Sequence, residues 1–328
     1  MKAIEFTRYG IPHEVCACVE VPDPGAPSPG EIVVTVLASA INPADLLIIE
    51  GRYPGPTELP ARQGIEGAGR VEAVRQGVVG LNVGDHVIIL ERANWAERVR
   101  VASDRVIKIP RQVDILQAAM MKANPPTALL MLRDYVDLKP GDWVVQNAAN
   151  SAVGYHVIRL AKSSGVRTIN VVRRESLVEP LKSIGADLVL VDGNDLGRRV
   201  RAEIGEDNVP VAFDAAGGPA CLHLADCLSD GGILVNYGFL SGKPCMITPH
   251  HAIVHGIELK GFWLVKRLFQ RSRDKIEEVY REVAQLINAG TINAPIEATY
   301  RLENAKDALA HAEREGRNGK ILFTANEG

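Results

Sequence analysis

The sequence is poor in cysteine and in net charge. Its 328 residues include five cysteines, and none of them stands in a C-x-x-C pair. Disulfide frameworks and zinc clusters are built from such paired cysteines, so we expect free thiols here. The net charge of −3 gives no electrostatic reason to expect nucleic acid or an anionic membrane surface as a partner.

Long apolar runs are also missing. No run approaches the roughly 20 residues that cross a bilayer, and the opening MKAIEFTRYG lacks the apolar centre of a signal peptide. We therefore expect a cytoplasmic protein that makes no membrane contact. A chain of 328 residues exceeds the size at which a single core keeps growing, which predicts two domains.

The first part of the chain is typical of a compact, mostly antiparallel β domain. Short β-branched stretches at 32–41, 67–74 and 84–90 are separated by Gly and Pro. The proline-rich stretch 21–30 fits neither a helix nor a central strand, which indicates a surface loop. We assign residues 1–117 to this domain.

From residue 118 the pattern changes to strands that alternate with helices. This rhythm predicts an α/β domain over 118–265, with a doubly wound parallel sheet and helices on both faces. An amphipathic helix at 273–290, ended by Gly290, and a tail with a short helix and a last strand follow. We expect 266–328 to return to the first domain. The six predicted strands are 143–147, 168–173, 188–192, 209–216, 231–238 and 257–263.

The first strand–helix turn of the α/β domain, NAANSAVG at 147–154, is a candidate phosphate-binding turn. Of the three glycines in G-x-G-x-x-G it keeps only Gly154, although the replacements are small enough for close approach to a phosphate. A tight turn without a ligand is the alternative. The predicted cofactor contacts of the turn are Asn150, Ser151, Ala152, Val153 and Gly154.

The second strand favours NADP(H) over NAD(H). It ends with Arg173 and Arg174, where an acidic residue would bind the ribose hydroxyls of NAD. Guanidinium groups bind phosphate in bidentate fashion, so this pair fits the extra 2′-phosphate. Further cofactor contacts are expected at the carboxyl ends of the fourth and fifth strands, at Asp214, Tyr237 and Gly238.

The order of parts resembles the medium-chain dehydrogenase/reductase superfamily over essentially the whole chain. The resemblance implies a GroES-like β-rich catalytic domain, formed by 1–117 and 266–328, and a Rossmann domain that binds NADP. The motifs INPADL (41–46) and GIEGAG (64–69) place Asn42-Pro43 and Ile65 where zinc alcohol dehydrogenases carry metal ligands. The resemblance therefore implies no catalytic zinc.

Within this superfamily the chain is similar to the mitochondrial-type trans-2-enoyl thioester reductases. That similarity implies NADPH-dependent reduction of the C=C bond of an enoyl-CoA or an enoyl-acyl carrier protein. A quinone oxidoreductase or another reductase of activated, acrylate-like alkenes is the first alternative, and a non-catalytic NADPH-binding protein is the second. The similarity rests on the segments INPADLLIIEGRYPG (41–55), NPPTALLML (124–132), QNAANSAVG (146–154), RTINVVRR (167–174) and LKGFW (259–263).

The resemblance also implies roles for individual residues. It makes Tyr53 the phenol that protonates or stabilises the enolate, Asn42 an orienting group, and Trp263, after Phe262, the border of the acyl pocket. It places Thr127, Asn318 and Lys320 near the nicotinamide. The structural alternatives are packing for Tyr53 and Trp263, a helix N-cap for Thr127, and a surface turn for 316–320. Asp45 is expected to be an N-cap or a local partner.

Two surface features allow further expectations. The basic residues Lys266, Arg267 and Arg271 are either a solvated helix face or a site for the phosphates of coenzyme A or phosphopantetheine. By the same resemblance, the sixth strand near 257–263 is expected to pair with its copy in a homodimer, which would cover an exposed sheet edge.

Overall fold

The computed structural model describes residues 1–325. In this part of the chain the strands are β1 (Lys2–Phe6), β2 (Cys16–Glu20), β3 (Glu31–Ala40), β4 (Ala61–Arg62), β5 (Gly67–Val74), β6 (His86–Ile89), β7 (Arg98–Ala102), β8 (Val106–Lys108), β9 (Trp143–Gln146), β10 (Arg167–Val172), β11 (Leu188–Val191), β12 (Val211–Asp214), β13 (Ile233–Asn236), β14 (Glu258–Gly261), β15 (Ile296–Tyr300) and β16 (Lys320–Thr324). The α-helices are α1 (Pro12–Val15), α2 (Pro43–Ile49), α3 (Ile115–Ala118), α4 (Asn124–Asp134), α5 (Ala152–Ser163), α6 (Val178–Ser183), α7 (Leu196–Ile204), α8 (Pro219–Ala225), α9 (Leu264–Arg267), α10 (Arg273–Asn288) and α11 (Ala305–Glu313).

The chain divides into two units. The β-rich unit contains residues 1–123, 277–290 and the segment from Ala294 onward, and the α/β unit contains 124–276 and 291–293. The sequence placed the boundaries at 117/118 and 265/266, whereas the packing places them after Ala123 and Ile276. The second shift follows from α9, which packs against α4 and so stays with the α/β unit.

The β-rich unit is built on a seven-stranded sheet. Its strand order is β15-β16-β3-β5-β6-β8, and β7 also pairs with β3. All these pairs are antiparallel except β15–β16. A second antiparallel sheet has the order β2-β1-β4. Because β16 lies against β3, with Leu322 opposite Ala40, the expected return of the tail to the first domain is confirmed.

Helix α2 is the element of the β-rich unit that matters most for the site. The sequence indicated it only through the expectation that Asp45 is an N-cap, without bounds for the helix. Its start is fixed by a capping box, in which Asn42 is the N-cap and Asp45 is the third helical residue, with Pro43 at the first position. Of the two expectations for Asp45, the local partner is confirmed and the N-cap is wrong.

The α/β unit has a six-stranded parallel sheet in the order β11-β10-β9-β12-β13-β14. This is the strand order of dinucleotide-binding folds, and it confirms the predicted doubly wound sheet. All four residues of the central strand β9 are buried, as expected for a sheet covered on both faces. The carboxyl ends of β9 and β12 lie side by side, because the two strands pair in parallel.

Two local expectations differ from the structure. The last strand, β14, ends at Gly261, so Trp263 is the N-cap of α9 and is not part of a strand. Thr127 lies inside α4 and is buried, so the N-cap alternative for it is wrong. None of the helices in residues 1–325 is long and apolar enough to pass through a membrane.

Candidate active site

A cluster of buried polar residues lies at the start of α2 in the β-rich unit. The Asn42 side-chain Nδ2 donates to Glu66 Oε1 at 2.7 Å, and its Oδ1 accepts a hydrogen bond from Lys320 Nζ. Glu66 Oε2 accepts from the backbone N–H of Ala123 at 3.0 Å. The Asn42 amide thus connects a carboxylate on one side with an ammonium group on the other.

Asp45 fixes the backbone around this cluster. Its Oδ2 accepts from the Asn42 N–H at 2.9 Å, and its Oδ1 accepts from Gln63 Nε2 at 2.9 Å and from the Ile65 N–H at 2.8 Å. Complete burial raises the pKa of Asp45 to about 6, although these three donors act in the opposite direction. The carboxyl group therefore ties the first turn of α2 to the segment that carries Glu66.

Two lysines complete the cluster. Lys122 Nζ donates to the backbone oxygens of Ile65 and Glu91, and burial lowers the pKa of Lys122 to about 8 despite the attraction of Glu66. Burial likewise lowers the pKa of Lys320, against the pull of Glu66 and Asp45. Each ammonium group has a carboxylate in its surroundings, which offsets part of the cost of burying it.

This donor set does not fit a zinc ion. A catalytic zinc is normally held by three protein ligands from Cys, His, Asp or Glu. Here the neutral Asn42 amide is bonded to Glu66 and Lys320, Ile65 offers no side-chain donor atom, and two buried ammonium groups lie in the same cluster. The cluster has the composition of a hydrogen-bonded network that positions α2.

Tyr53 follows this cluster along the chain. It lies in the turn after α2, in which Gly51 takes the left-handed conformation with a φ of 75°. The Tyr53 side chain is half-buried and packs on the apolar cluster that contains Ile48 and Ile49 of α2. Helix α2 therefore carries the polar cluster at its first turn and anchors Tyr53 close to its last.

In the α/β unit, the predicted phosphate-binding turn joins β9 to α5. Ser151 is the N-cap of α5, and its Oγ accepts from the Gly154 N–H at 3.2 Å. A Cβ atom on Gly154 would lie 2.3 Å from the Ala149 carbonyl oxygen, so only glycine permits this close helix–turn packing. Gly154 is the one glycine of the G-x-G-x-x-G pattern that the sequence keeps, and the packing requires a glycine at this position.

Asp214, at the end of β12, organises the neighbouring turn. Its carboxylate accepts from the backbone N–H groups of Ala216 and Gly217, and from the side-chain amides of Asn147 and Asn236. Asn147 Oδ1 in turn accepts from the Ala215 N–H at 2.8 Å. The protein's own donors thus occupy both oxygens of Asp214, so this predicted cofactor contact would act through the turn that it holds.

The groove residues fit a phosphate-bearing cofactor. The Tyr237 hydroxyl is buried beside Ser151, whose side chain acts on its pKa but makes no well-aligned hydrogen bond with it. Burial raises the pKa of Tyr237 against the effect of Ser151, so the hydroxyl keeps its proton and can donate a hydrogen bond. Gly238 follows it, where a Cβ would lie 2.8 Å from the Ala215 oxygen. Asn150, Ser151, Ala152, Val153 and Gly154, with Tyr237 and Gly238, would hold the cofactor here.

The other residues predicted at the site are placed as follows. Arg173 and Arg174 are exposed directly after β10. Phe262 is buried, whereas Trp263 is 39% exposed, with Lys266 Nζ 6.0 Å from its ring centre. Asn318 is exposed, and its backbone N–H donates to Glu297.

The basic residues after Trp263 do not form a single free cluster. Arg271 pairs with Asp134 at 2.6 Å, and the Arg267 guanidinium lies 4.6 Å from the ring centre of Tyr135. Lys266 is exposed. The structure thus gives Arg267 and Arg271 packing and pairing roles inside the α/β unit.

Comparisons with known proteins agree with this geometry. Residues 28–111 match the alcohol dehydrogenase GroES-like domain, and residues 152–289 match the zinc-binding dehydrogenase family. The mitochondrial enoyl-acyl-carrier-protein reductase of Caenorhabditis elegans is 37% identical over 94% of this chain and 90% of its own length. The chain belongs to the medium-chain dehydrogenase/reductase superfamily. The resemblance that the sequence motifs suggested is confirmed.

Solved structures agree as well. The complex of Etr1p with NADP and crotonyl-CoA is 27% identical, with a TM-score of 0.88 over 99% of both chains. The quinone oxidoreductase of Escherichia coli in complex with NADPH is also 27% identical, with a TM-score of 0.89 over 99% of this chain and 100% of that one. The chain is thus an oxidoreductase of this superfamily, and both of these similar structures were solved with NADP or NADPH.

Sequence reasoning missed several members of the polar cluster. Glu66 belongs to the GIEG motif, which indicated the missing metal ligand at Ile65 but not the role of the carboxylate beside it. Lys122 stands in the apolar stretch AAMMKAN, and a lone lysine in such a stretch is a signal of a buried charge. Gln63 carries no such signal, because an isolated glutamine is common in surface loops.

The raised pKa of Asp45 makes the stability of the chain depend on pH. The folded chain keeps a proton up to about pH 6 that the unfolded chain releases near pH 3.8, so this contribution to stability falls as pH rises through that window. Asp45→Asn cannot titrate. We expect the stability of the natural chain relative to this variant to fall by on the order of 3 kcal/mol between pH 4 and pH 7.

Urea unfolding at intervals of half a pH unit measures this difference. Asp137→Asn, at an exposed aspartate, is the matched control and should differ from the natural chain by less than about 0.5 kcal/mol at every pH. A constant offset between the natural chain and Asp45→Asn over this range would contradict the assignment.

Proposed function

We propose that the chain reduces the C=C bond of a 2-enoyl thioester with NADPH. The observation that carries this proposal is the Asn42–Glu66–Lys320 network, which occupies the position of the metal ligands in zinc alcohol dehydrogenases. An enoyl reductase matches 94% of the same chain. A site without a metal needs another group to stabilise the negative charge that develops on the enolate oxygen. A phenol is suited to this task, because it keeps its proton at neutral pH and can donate it.

When bound, NADPH would supply the hydride for the β carbon of the substrate. Tyr53 then donates a hydrogen bond to the thioester oxygen as charge develops there, or delivers the proton to the α carbon. Asn42 acts as a positioning residue, since its amide is held between Glu66 and Lys320 and fixes the start of the helix that anchors Tyr53. Trp263, half-exposed after β14, is assigned to the wall of the acyl pocket.

Quinone reduction is the second candidate function. The quinone oxidoreductase of Escherichia coli matches this fold as well as Etr1p does. A quinone accepts a hydride without protonation at carbon, so it depends less on a correctly placed phenol. Removing the Tyr53 hydroxyl therefore separates the two functions.

Tyr53→Phe should lower kcat for NADPH-dependent reduction of crotonyl-CoA by about 10²–10⁴-fold. The Kd for NADPH should stay within about twofold, because the phenol acts on the acyl substrate. Steady-state absorbance at 340 nm with crotonyl-CoA and with 1,2-naphthoquinone measures both activities, and fluorescence titration measures cofactor binding.

Tyr9→Phe is the matched control. It removes a hydroxyl that donates to the Pro56 oxygen in the same unit, so crotonyl-CoA turnover should be nearly unchanged. Full crotonyl-CoA turnover by Tyr53→Phe would rule out the phenol as donor. Turnover of the quinone alone by the natural chain would favour the second function.

We further propose that Arg173 and Arg174 bind the 2′-phosphate of NADPH. They stand exposed after β10, where the parallel sheet ends and a ribose would lie. Glu175 begins the following turn and is two residues beyond the position of the acidic residue of NAD enzymes.

Arg173→Ala should raise the KM for NADPH by roughly 10–100-fold and change the KM for NADH by much less, because only NADPH carries the phosphate. Initial rates with both cofactors test this. Lys182→Ala, at an exposed lysine of α6, serves as the control for a general loss of positive charge. Equal effects of Arg173→Ala on the two cofactors would refute the assignment.

We also propose a homodimer formed through the sheet edge at β14. This strand ends the six-stranded sheet, and Leu259 on it is 40% exposed. Ile253 and Val254, just before it, are 81% and 62% exposed. Pairing with a second copy would cover these apolar groups and the free edge.

Leu259→Arg should convert the dimer to a monomer, since two arginines would meet near the two-fold axis of the paired strands. Light scattering after size exclusion measures the mass at micromolar concentration. Val79→Arg, at a 91% exposed valine of the β-rich unit, should leave the dimer intact. A natural chain that elutes as a monomer would sink the proposal.

Coenzyme A and acyl carrier protein are the two candidate carriers of the acyl group. Lys266 is the exposed base beside Trp263 that we assign to carrier phosphates, and the packing of Arg267 and Arg271 makes those two less suited to this role.

A further inference from the structure

Two cysteines and an aspartate meet at the carboxyl end of β12 in the α/β unit. The Cys221 and Cys245 sulfur atoms and an Asp214 carboxylate oxygen all lie within 4.8 Å of one another. Cys221 is on α8, and Cys245 is in the segment 239–246 that follows β13. The reaction proposed above uses neither sulfur.

Backbone hydrogen bonds hold the two sulfurs together. The Gly218 N–H donates to the Pro244 oxygen at 3.0 Å, which joins the start of α8 to the residue before Cys245. The Met246 N–H, directly after Cys245, donates to Cys221 Sγ at 3.1 Å. The proximity of the sulfurs is therefore a property of two backbone segments that are tied on both sides of Cys245.

The third member of the group is poorly suited to bind a metal ion. Asp214 Oδ1 accepts from three donors and Oδ2 from two, so the lone pairs of the carboxylate are already taken. That leaves two sulfurs, whereas zinc sites use three or four protein ligands. Two thiols side by side, without a third ligand, are suited to oxidation to a disulfide.

We propose that Cys221 and Cys245 are a disulfide-forming pair that a low-molecular-weight disulfide oxidises. The Cys245 thiolate attacks the oxidant, forms a mixed disulfide and releases one thiolate. The Cys221 thiolate then attacks Cys245 Sγ, the Cys221–Cys245 bond forms, and a second thiolate leaves. The two cysteine protons pass to the released thiolates, so one disulfide is reduced to two thiols as the pair loses two electrons.

The exposure of the two residues sets this order of attack. Cys245 is partly exposed and can meet an oxidant, whereas Cys221 is completely buried and can react only with a neighbouring sulfur. Burial and the nearby Asp214 raise the pKa of Cys245, which keeps it a thiol for most of the time. Attack of Cys245 on an oxidant is therefore slow.

The disulfide would fasten the segment 239–246 to α8. Leu240 and Ser241 in this segment already donate backbone hydrogen bonds to Ala215 and Ala216, which belong to the turn held by Asp214. A covalent link across the roughly 25 residues from Cys221 to Cys245 restricts the unfolded chain, so we expect the oxidised protein to melt about 5 °C higher or more.

The test incubates the purified full chain with glutathione disulfide. We expect an intact mass lower by two hydrogen atoms, a cross-linked Cys221–Cys245 peptide after alkylation and digestion, and a melting temperature that rises and then returns with dithiothreitol. In Cys221→Ser, glutathione should remain on Cys245, because the resolving thiol is gone. In Cys245→Ser, neither the cross-link nor the melting shift should form.

Cys227→Ser is the matched control, since Cys227 is also buried, directly after α8, but lies outside the group. It should form the cross-link as the natural chain does. A natural chain that keeps glutathione on Cys245 without a cross-link would overturn the proposal. Tight binding of one equivalent of Zn²⁺ by the reduced chain, lost in Cys245→Ser, would equally overturn it in favour of a metal site.

Discussion

The hydrogen bond from the Asn42 amide to the Glu66 carboxylate is the contact on which the rest of the catalytic unit depends. Where related dehydrogenases bind a metal, this hydrogen bond is part of a network that also includes Lys320. Because the polar atoms of that network bond to one another, they leave no ligand set for a metal ion that could polarise a carbonyl. The chemistry must then rely on a neutral donor, and the helix that begins at Asn42 ends just before the turn that carries such a donor, Tyr53.

In the nucleotide-binding unit, too, hydrogen bonds take over a role that other residues have in related folds. Many dinucleotide folds have a glycine-rich turn, and here only one of its glycines, Gly154, is kept. It must be a glycine because the Ala149 carbonyl leaves no room for a side chain. The remaining shape comes from Asp214, which gathers two backbone N–H groups and two side-chain amides around one carboxylate. The hydrogen bonds to Asp214 thus fix the backbone at the ends of these strands, where other dinucleotide folds rely on additional glycines.

Much of this fold could be predicted from the sequence, because strands and helices of the α/β unit alternate with clear periodicity. The two arginines after β10 and the small residues of the turn were likewise readable, since each lies at a fixed distance from a strand. The pairing of Arg271 with Asp134 and the meeting of Asn42 with Lys320 were not, because these partners are 137 and 278 residues apart. The bounds of helix α2 were not predicted, since its seven residues are too few to show a clear periodicity and the N-cap was placed at Asp45 instead of Asn42.

The position of β16 between β3 and β15 has a consequence for biosynthesis. The central sheet of the β-rich unit lacks an inner strand until residues 320–324 leave the ribosome, although most of that unit is made first. The α/β unit, complete by residue 293, is therefore expected to fold earlier than the unit that precedes it. During this delay only Ala38–Ala40 of β3 lack a partner strand on that edge, because β7 covers Glu31–Thr35. Truncations that remove β16 are therefore expected to lower yield more than changes in the loop at 21–30.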